Sequence, residues 1–179
     1  MKKEFIKLSL TLCAITLVAA LLLAGVNSIT EEKIKASEEA AVENAMKSIM
    51  SDADAFEKVN DYITKGLSGD AVIGYCVNVS AKGFGGEIKM IVGINNDNTI
   101  AGIDILSHSE TAGLGAKADT EDFKNRFKGK NTNLSIVKTP TDSDGAVMAI
   151  TGATITSKAV ADGISEAQRL LNEMQGGVK

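Results

Sequence analysis

Apolar residues fall along this chain in three successive rhythms, each predicting a different kind of element. From Leu8 to Thr30 they are almost continuous, with 23 positions free of charge and rich in Leu, Ala, Val and Ile. About 20 such residues cross a bilayer as a helix, so residues 8–30 predict a membrane-spanning segment. From Ser28 to about Val59 the spacing turns helical. Ile34, Ala41, Ala45, Ile49 and Phe56 mark one face, and Glu32, Glu39, Glu43 and Lys47 mark the other. Glu38 interrupts the stripe, and Ser51-Asp52-Ala53-Asp54 is a place where the helix could break. This stretch predicts a stalk.

Beyond it the period falls to two, the signature of strands. Val72, Gly74, Cys76 and Asn78 alternate within 71–80. Ile88, Met90, Val92 and Ile94 alternate within 87–95, and Ile100, Gly102, Asp104 and Leu106 within 99–106. Gly83-Phe84-Gly85-Gly86 and Asn95-Asn96-Asp97-Asn98 supply the turns, which predicts an antiparallel meander of three strands. A short helix over 119–127, a strand over 134–138, a loop over 139–145 and a closing helix from Thr156 complete an α+β domain. Its antiparallel sheet is expected to be covered by helices. The expected organisation is an anchor (1–30), a stalk helix (31–60) and a folded domain (61–179).

Charge orients the anchor. Lys2, Lys3 and Lys7 precede it against a single Glu4, and the positive-inside rule then leaves the N-terminus in the cytoplasm and the domain outside it. The expected location is the cell (inner) membrane, crossed once. A cleaved signal peptide is the competing reading, but the apolar run is long and Ala24-Gly25-Val26 matches a cleavage site poorly. A lipoprotein reading through Cys13 is weaker, because most of the run follows that residue.

Composition then removes several function classes. The net charge is −4, and residues 1–27 carry +2 of it, so the remainder is at −6 and gives nucleic-acid binding no electrostatic support. Cys76 is the only cysteine beyond the span and His108 the only histidine, which excludes an internal disulfide and a thiol or imidazole metal cage.

Two stretches carry candidate chemistry. In Thr151-Gly152-Ala153-Thr154-Ile155-Thr156-Ser157, four hydroxyl residues crowd a Gly-Ala pair just before the last helix. Free N–H groups and the positive end of the helix dipole favour a phosphate there, although Thr156 or Ser157 could equally be a helix cap. The second stretch runs from Ser107 to Lys117. Gly113 and Gly115 let the backbone approach a flat ligand, Leu114 offers an apolar contact, and Glu110 and Thr111 offer polar ones. A long connection needing glycines explains that stretch as well. His108 beside Glu110 is a thin basis for acid–base catalysis, since no nucleophile accompanies it.

Taken together and in order, these stretches resemble one family. The anchor, Gly83-Phe84-Gly85-Gly86, Val92-Gly93-Ile94, Ser107 to Gly115 and Thr151-Gly152-Ala153-Thr154 are similar to the membrane-anchored FMN-binding subunits of redox-driven ion pumps. These are the G subunit of the Rnf complex (ferredoxin:NAD oxidoreductase) and the C subunit of the sodium-pumping NADH:quinone oxidoreductase, and the chain's short length is closer to the first. The resemblance implies FMN joined by a phosphoester to Thr154, with Thr151, Gly152 and Ala153 as recognition context. It also implies a Mg-dependent flavin transferase that uses FAD as donor. Glu110, Thr111, Gly113, Leu114 and Gly115 would lie against the isoalloxazine ring, and Thr156, Ser157 and Lys158 would meet the phosphate.

The sequence departs from the family pattern at two points. Ala112 stands where the family has proline, and Met148 where the transferase motif has an aspartate, with Asp144 the nearest acidic residue upstream. The function implied is electron transfer within an Rnf-type Na+ or H+ pump, beside other membrane subunits and without a catalytic acid or base. Rival readings are a stand-alone extracytoplasmic flavoprotein and a non-redox anchored binding domain.

Overall fold

The computed structural model describes residues 2–139, 141, 143 and 145–176. The chain divides into two units, residues 1–41 and 42–179. The first is helical throughout its described length and belongs to α1, Lys2–Ile49. Its large apolar side chains, Leu10, Leu17, Leu22 and Ile29 among them, are exposed. The helix is long and apolar enough to cross a membrane. Its threonines fold their hydroxyls back onto the helix: Thr11 donates to Lys7 C=O at 2.9 Å and Thr30 to Val26 C=O at 2.8 Å. Such bonds would give these hydroxyls partners without water if the helix faced lipid.

The second unit begins with the last turns of α1. The helix expected to reach about Val59 stops at Ile49, just before the possible break at 51–54; β1 (Ala55–Lys58) replaces the end of the expected stalk, and β2 (Ile63–Ser68) adds a strand at the start of the domain that the sequence did not show. Asp54 helps to explain the break, because its carboxylate accepts the Gly69 N–H at 3.0 Å and so ties the chain leaving α1 to the turn that follows β2. Phe56, expected on the stalk's apolar face, lies in β1 and packs against the cluster of Ala45, Met50, Cys76 and Ile91.

The three expected strands are present as β3 (Ala71–Lys82), β4 (Glu87–Asn95) and β5 (Ile100–Ser107). With β1 and β2 they form a five-stranded antiparallel sheet in the order β1-β2-β3-β4-β5. The short helix expected over 119–127 is a 3-10 turn, Gly115–Asp119, followed by the single-turn α2, Glu121–Lys124. Phe123 and Phe127 nonetheless meet edge to face, with centroids 5.2 Å apart, and anchor this segment in the core. The strand expected at 134–138 is β6, Ser135–Val137, and it pairs in parallel with β7, Ala146–Met148, which sequence periodicity did not reveal. The closing helix, α3, runs Thr154–Gly176 and starts two residues earlier than expected.

One sheet face packs on α3, where Val77, Met90, Val92, Val160, Ile164 and Leu171 are buried together. The other receives the end of α1 along a row of glycines. Gly66 pairs with Gly74 and Gly93 with Gly102 across neighbouring strands. A Cβ built on Gly93 would stand 2.2 Å from Ile49 Cγ2, and one on Gly74 2.8 Å from Met50 Cε. The glycines are therefore the slot into which Ile49 and Met50 fit. Cys76 is buried beside them, and that burial pushes its thiol up to about 12. It is chemically a core residue.

Candidate functional site

The two motifs flagged in the sequence meet at the N-terminal end of α3. Residues 150–153 form a tight turn, with the Ala153 N–H donating to Ile150 C=O at 2.9 Å. Gly152, the third residue of that turn, has φ +81°, the left-handed value that a type II turn requires there and that glycine adopts without strain. The first α-helical hydrogen bond follows at once, from Ser157 N–H to Ala153 C=O at 3.0 Å. Ala153 is therefore the N-cap residue. It has no side-chain oxygen, so the helix start has no side-chain cap from that position. Neither Thr156 nor Ser157 plays that part, contrary to the capping alternative.

Ser157 is fully buried. Its hydroxyl accepts the Ile150 N–H at 2.9 Å and donates to Ala153 C=O at 3.0 Å. Thr156 is also buried, with its hydroxyl on Glu110 Oε2 at 2.5 Å. Both hydroxyls, expected beside a phosphate, are spent inside the protein. Lys158 is exposed and lies outside the groove described below. Thr154, the first residue of α3, is half-buried and lines that groove.

Glu110 is the surprise of the second motif. Expected as a polar contact for a ring, it is buried, and its carboxylate ties three segments together. Oε1 accepts the Gly85 N–H at 2.8 Å from the β3–β4 turn, while Oε2 accepts Thr156 from α3. The approach is close enough to need glycines around it. A Cβ on Gly83 would lie 2.2 Å from Oε1, and one on Gly115 2.4 Å from Oε2. His108 Nδ1 accepts the Glu110 N–H at 3.2 Å, the local hydrogen bond that the sequence favours over catalysis.

Around this clamp lies a groove of about 380 Å³, lined by Glu110, Thr111, Leu114, Gly115 and the stretch from Gly152 to Thr156. That is within the range of small-molecule and cofactor sites. Phe84 and Ile155 complete the lining. Sequence reasoning did not assign them to the site, although a phenylalanine between glycines in a turn is the signal that could have found the first. Phe84 is 71% exposed, Ile155 55% and Leu114 45%, so the groove offers apolar walls that the protein itself leaves uncovered. Gly113, at φ +77°, lets the loop bend outside it. A flat apolar ring suits these walls, and a phosphate suits the helix start at Thr154.

Thr151 faces a second hollow of about 330 Å³, with Lys117, Asp122, Arg126 and Met148. Arg126 lies 5.5 Å from the Phe123 ring centroid, donates from Nη1 to Met148 C=O at 3.0 Å and pairs with Asp122. Met148 is thus held by its backbone, and its side chain is 41% exposed. Asp144 lies outside the described residues.

Known proteins are similar to this chain in both its N-terminal helix and its folded domain. A family model described as an FMN-binding domain matches residues 83–169, and one described as the RnfG N-terminal region matches residues 1–49. The G subunit of the proton-translocating ferredoxin:NAD(+) oxidoreductase complex of Clostridium ljungdahlii is 36% identical over 165 residues, covering 89% of this chain and 88% of that protein. The G subunit of the ion-translocating oxidoreductase complex of Methanosarcina acetivorans is 35% identical over 188 residues, covering 97% and 98%.

Among solved structures, NqrC of Shewanella oneidensis superposes with a TM-score of 0.53 at 24% identity, covering 57% of this chain and 52% of that one. The C subunit of the Na(+)-translocating NADH-quinone reductase of Parabacteroides distasonis gives 0.51 at 28%, covering 59% and 57%. The chain thus spans little more than half of either solved structure, and the first supports the fold alone. Matched over nearly its whole length by the two G-subunit relatives, this chain belongs to the family of G subunits of ion-translocating oxidoreductase complexes.

Proposed function

We propose that this protein is the membrane-anchored electron carrier of an Rnf-type ion pump and holds FMN by a phosphoester on Thr154. The observation that carries the reading is the position of Thr154. It opens α3 on the wall of an apolar groove, next to an N-cap residue that supplies no side-chain cap. The helix start would hold the phosphate through backbone N–H groups and the helix dipole. Phe84, Leu114 and Ile155 would hold the ring and exclude water from part of it, and the open side of the groove would leave an edge accessible to electron partners. FMN supplies the redox chemistry when bound; the chain supplies attachment, orientation and electrostatics.

Residues 8–30 would span the membrane, with Lys2, Lys3 and Lys7 in the cytoplasm and the domain outside it. A covalent link would keep the cofactor from being lost to the external medium. Attachment would require a Mg-dependent flavin transferase acting on FAD. The partners in electron transfer would be the other membrane subunits of the complex.

The test is a denaturing gel of the full chain produced together with the transferase. Flavin fluorescence is expected to migrate with the polypeptide and to vanish in Thr154→Val, with the fold retained by circular dichroism. A dark wild-type band would overturn the covalent reading, and persistent fluorescence in Thr154→Val would move the attachment to another hydroxyl.

A further inference from the structure

The Ser157 hydroxyl does something that ordinary helix serines do not. Ser165, eight residues further along α3, donates to the carbonyl four residues back, Ala161 C=O at 3.1 Å, and makes no second side-chain bond among the described residues. Ser157 makes the equivalent bond to Ala153 and also accepts the Ile150 N–H, seven residues upstream. Ile150 and Ala153 are the first and last residues of the turn that carries Thr151 and Gly152. One buried oxygen therefore joins both ends of the turn to the first turn of α3. Ile150 is 6% exposed and Ala153 7%, so water has little access to replace it. Thr151 and Gly152, between them, are exposed.

We propose that Ser157 is the positioning residue for flavin attachment: by stapling the 150–153 turn to α3, it sets where the Thr154 hydroxyl stands for an incoming phosphoryl group. This rests on the reading that Thr154 carries FMN. In the step concerned, Thr154 Oγ attacks the flavin-side phosphorus of FAD. The Oγ–P bond forms, the pyrophosphate P–O bond breaks, AMP leaves, and the hydroxyl proton passes to a base on the transferase. No electron is transferred. Without the staple, the Ile150 N–H is buried without an acceptor and the turn opens to find one. Thr154 then samples many positions in place of one, which slows the chemical step more than it weakens docking.

The experiment uses the purified full-length chain in detergent, with the transferase, Mg2+ and FAD, and follows in-gel fluorescence against chain concentration. Ser157→Ala removes the hydroxyl. Ser157→Cys keeps the volume but bonds weakly, separating hydrogen bonding from packing. Ser165→Ala is the matched control. Both Ser157 variants are expected to lower kcat for labelling about tenfold or more while KM for the chain stays within about twofold, and Ser165→Ala is expected to label as wild type. Hydrogen exchange on the unmodified chain is expected to quicken at Ile150 and Ala153 in the Ser157 variants but not in distal α3.

Wild-type kcat in either Ser157 variant overturns the proposal, as does an equal fall in Ser165→Ala or a fall that merely tracks the unfolded fraction. A wild-type chain that takes no label at all overturns the attachment reading itself, and the role of Ser157 with it. A labelled wild type beside equally labelled Ser157 variants overturns only the role of Ser157.

Discussion

The Thr156 hydroxyl donates to Glu110 Oε2 at 2.5 Å across 46 positions of sequence, between two buried side chains at the floor of the groove. This bond joins the two motifs that were legible separately, and with the Gly85 N–H on Oε1 it holds three walls of the groove together. Thr156→Val keeps the shape of the side chain and deletes the donor. It is expected to cost about 1–3 kcal/mol, the penalty for leaving a buried acceptor short of a partner. The Gly85 amide should exchange faster in the same variant. Chemical denaturation and amide exchange check the two outcomes, and an unchanged midpoint would reduce the clamp to a bystander.

Met148 stands where the resemblance implies an aspartate of the attachment motif, and its exposed side chain borders the hollow that also contains Thr151, Asp122 and Arg126. Met148→Asp is expected to raise the initial rate of flavin labelling of Thr154 at fixed transferase. Equal rates would show that the acidic position is dispensable in this chain.

Gly93 has no room for a side chain because Ile49 fills the space above it. Gly93→Ala is expected to destabilise the domain by about 1–3 kcal/mol through overpacking. Combining it with Ile49→Ala should return part of that loss, and a double-mutant cycle on thermal midpoints measures the coupling. Strict additivity would mean that the end of α1 does not press on the sheet.

Lys124 lies 2.8 Å from both Asp104 and Glu121 and 3.6 Å from Asp119, linking β5 to α2. Burial opposes its charge, but hydrogen bonds and attraction from Asp104 and Glu121 outweigh that, so its ammonium is held above the ordinary lysine range. A raised folded-state value contributes stability that is fully present below the unfolded value of about 10.4 and is lost as pH rises through the folded one. Lys124→Met is expected to lower stability by about 1–3 kcal/mol, between the costs of breaking exposed and fully buried pairs. The gap between wild type and variant should be flat over about pH 6–9 and shrink above about 10.4. Urea melts across that range test the sign.

Elements with a strong local signal were legible and the others were not. The apolar run of 8–30 and the alternations in β3, β4 and β5 each span enough residues to display a period. The strands β1 and β7 do not, being four and three residues long, and β6, equally short, was legible only as part of the longer stretch 134–138. Phe56 fitted a helical stripe as well as it fits β1, and what decides between them is the cluster of Ala45, Met50, Cys76 and Ile91 that it joins. The helix read to about Val59 ends at the break flagged at 51–54, and its continuation is lost to sheet pairing that only the folded chain offers.

The site divides in the same way. Hydroxyls beside Gly-Ala before a helix, and a glycine-rich loop after a strand, are local facts of composition and could be read along the chain, as could the membrane anchor. What each hydroxyl does could not. Thr154, Thr156 and Ser157 lie within four residues of sequence. Yet the first lines a groove, the second reaches a carboxylate from another loop, and the third closes a turn. Successive helix positions point about 100° apart, so neighbouring residues of one chemical type meet different surroundings. Those surroundings come from chain segments far away in sequence, and only folding brings them into contact.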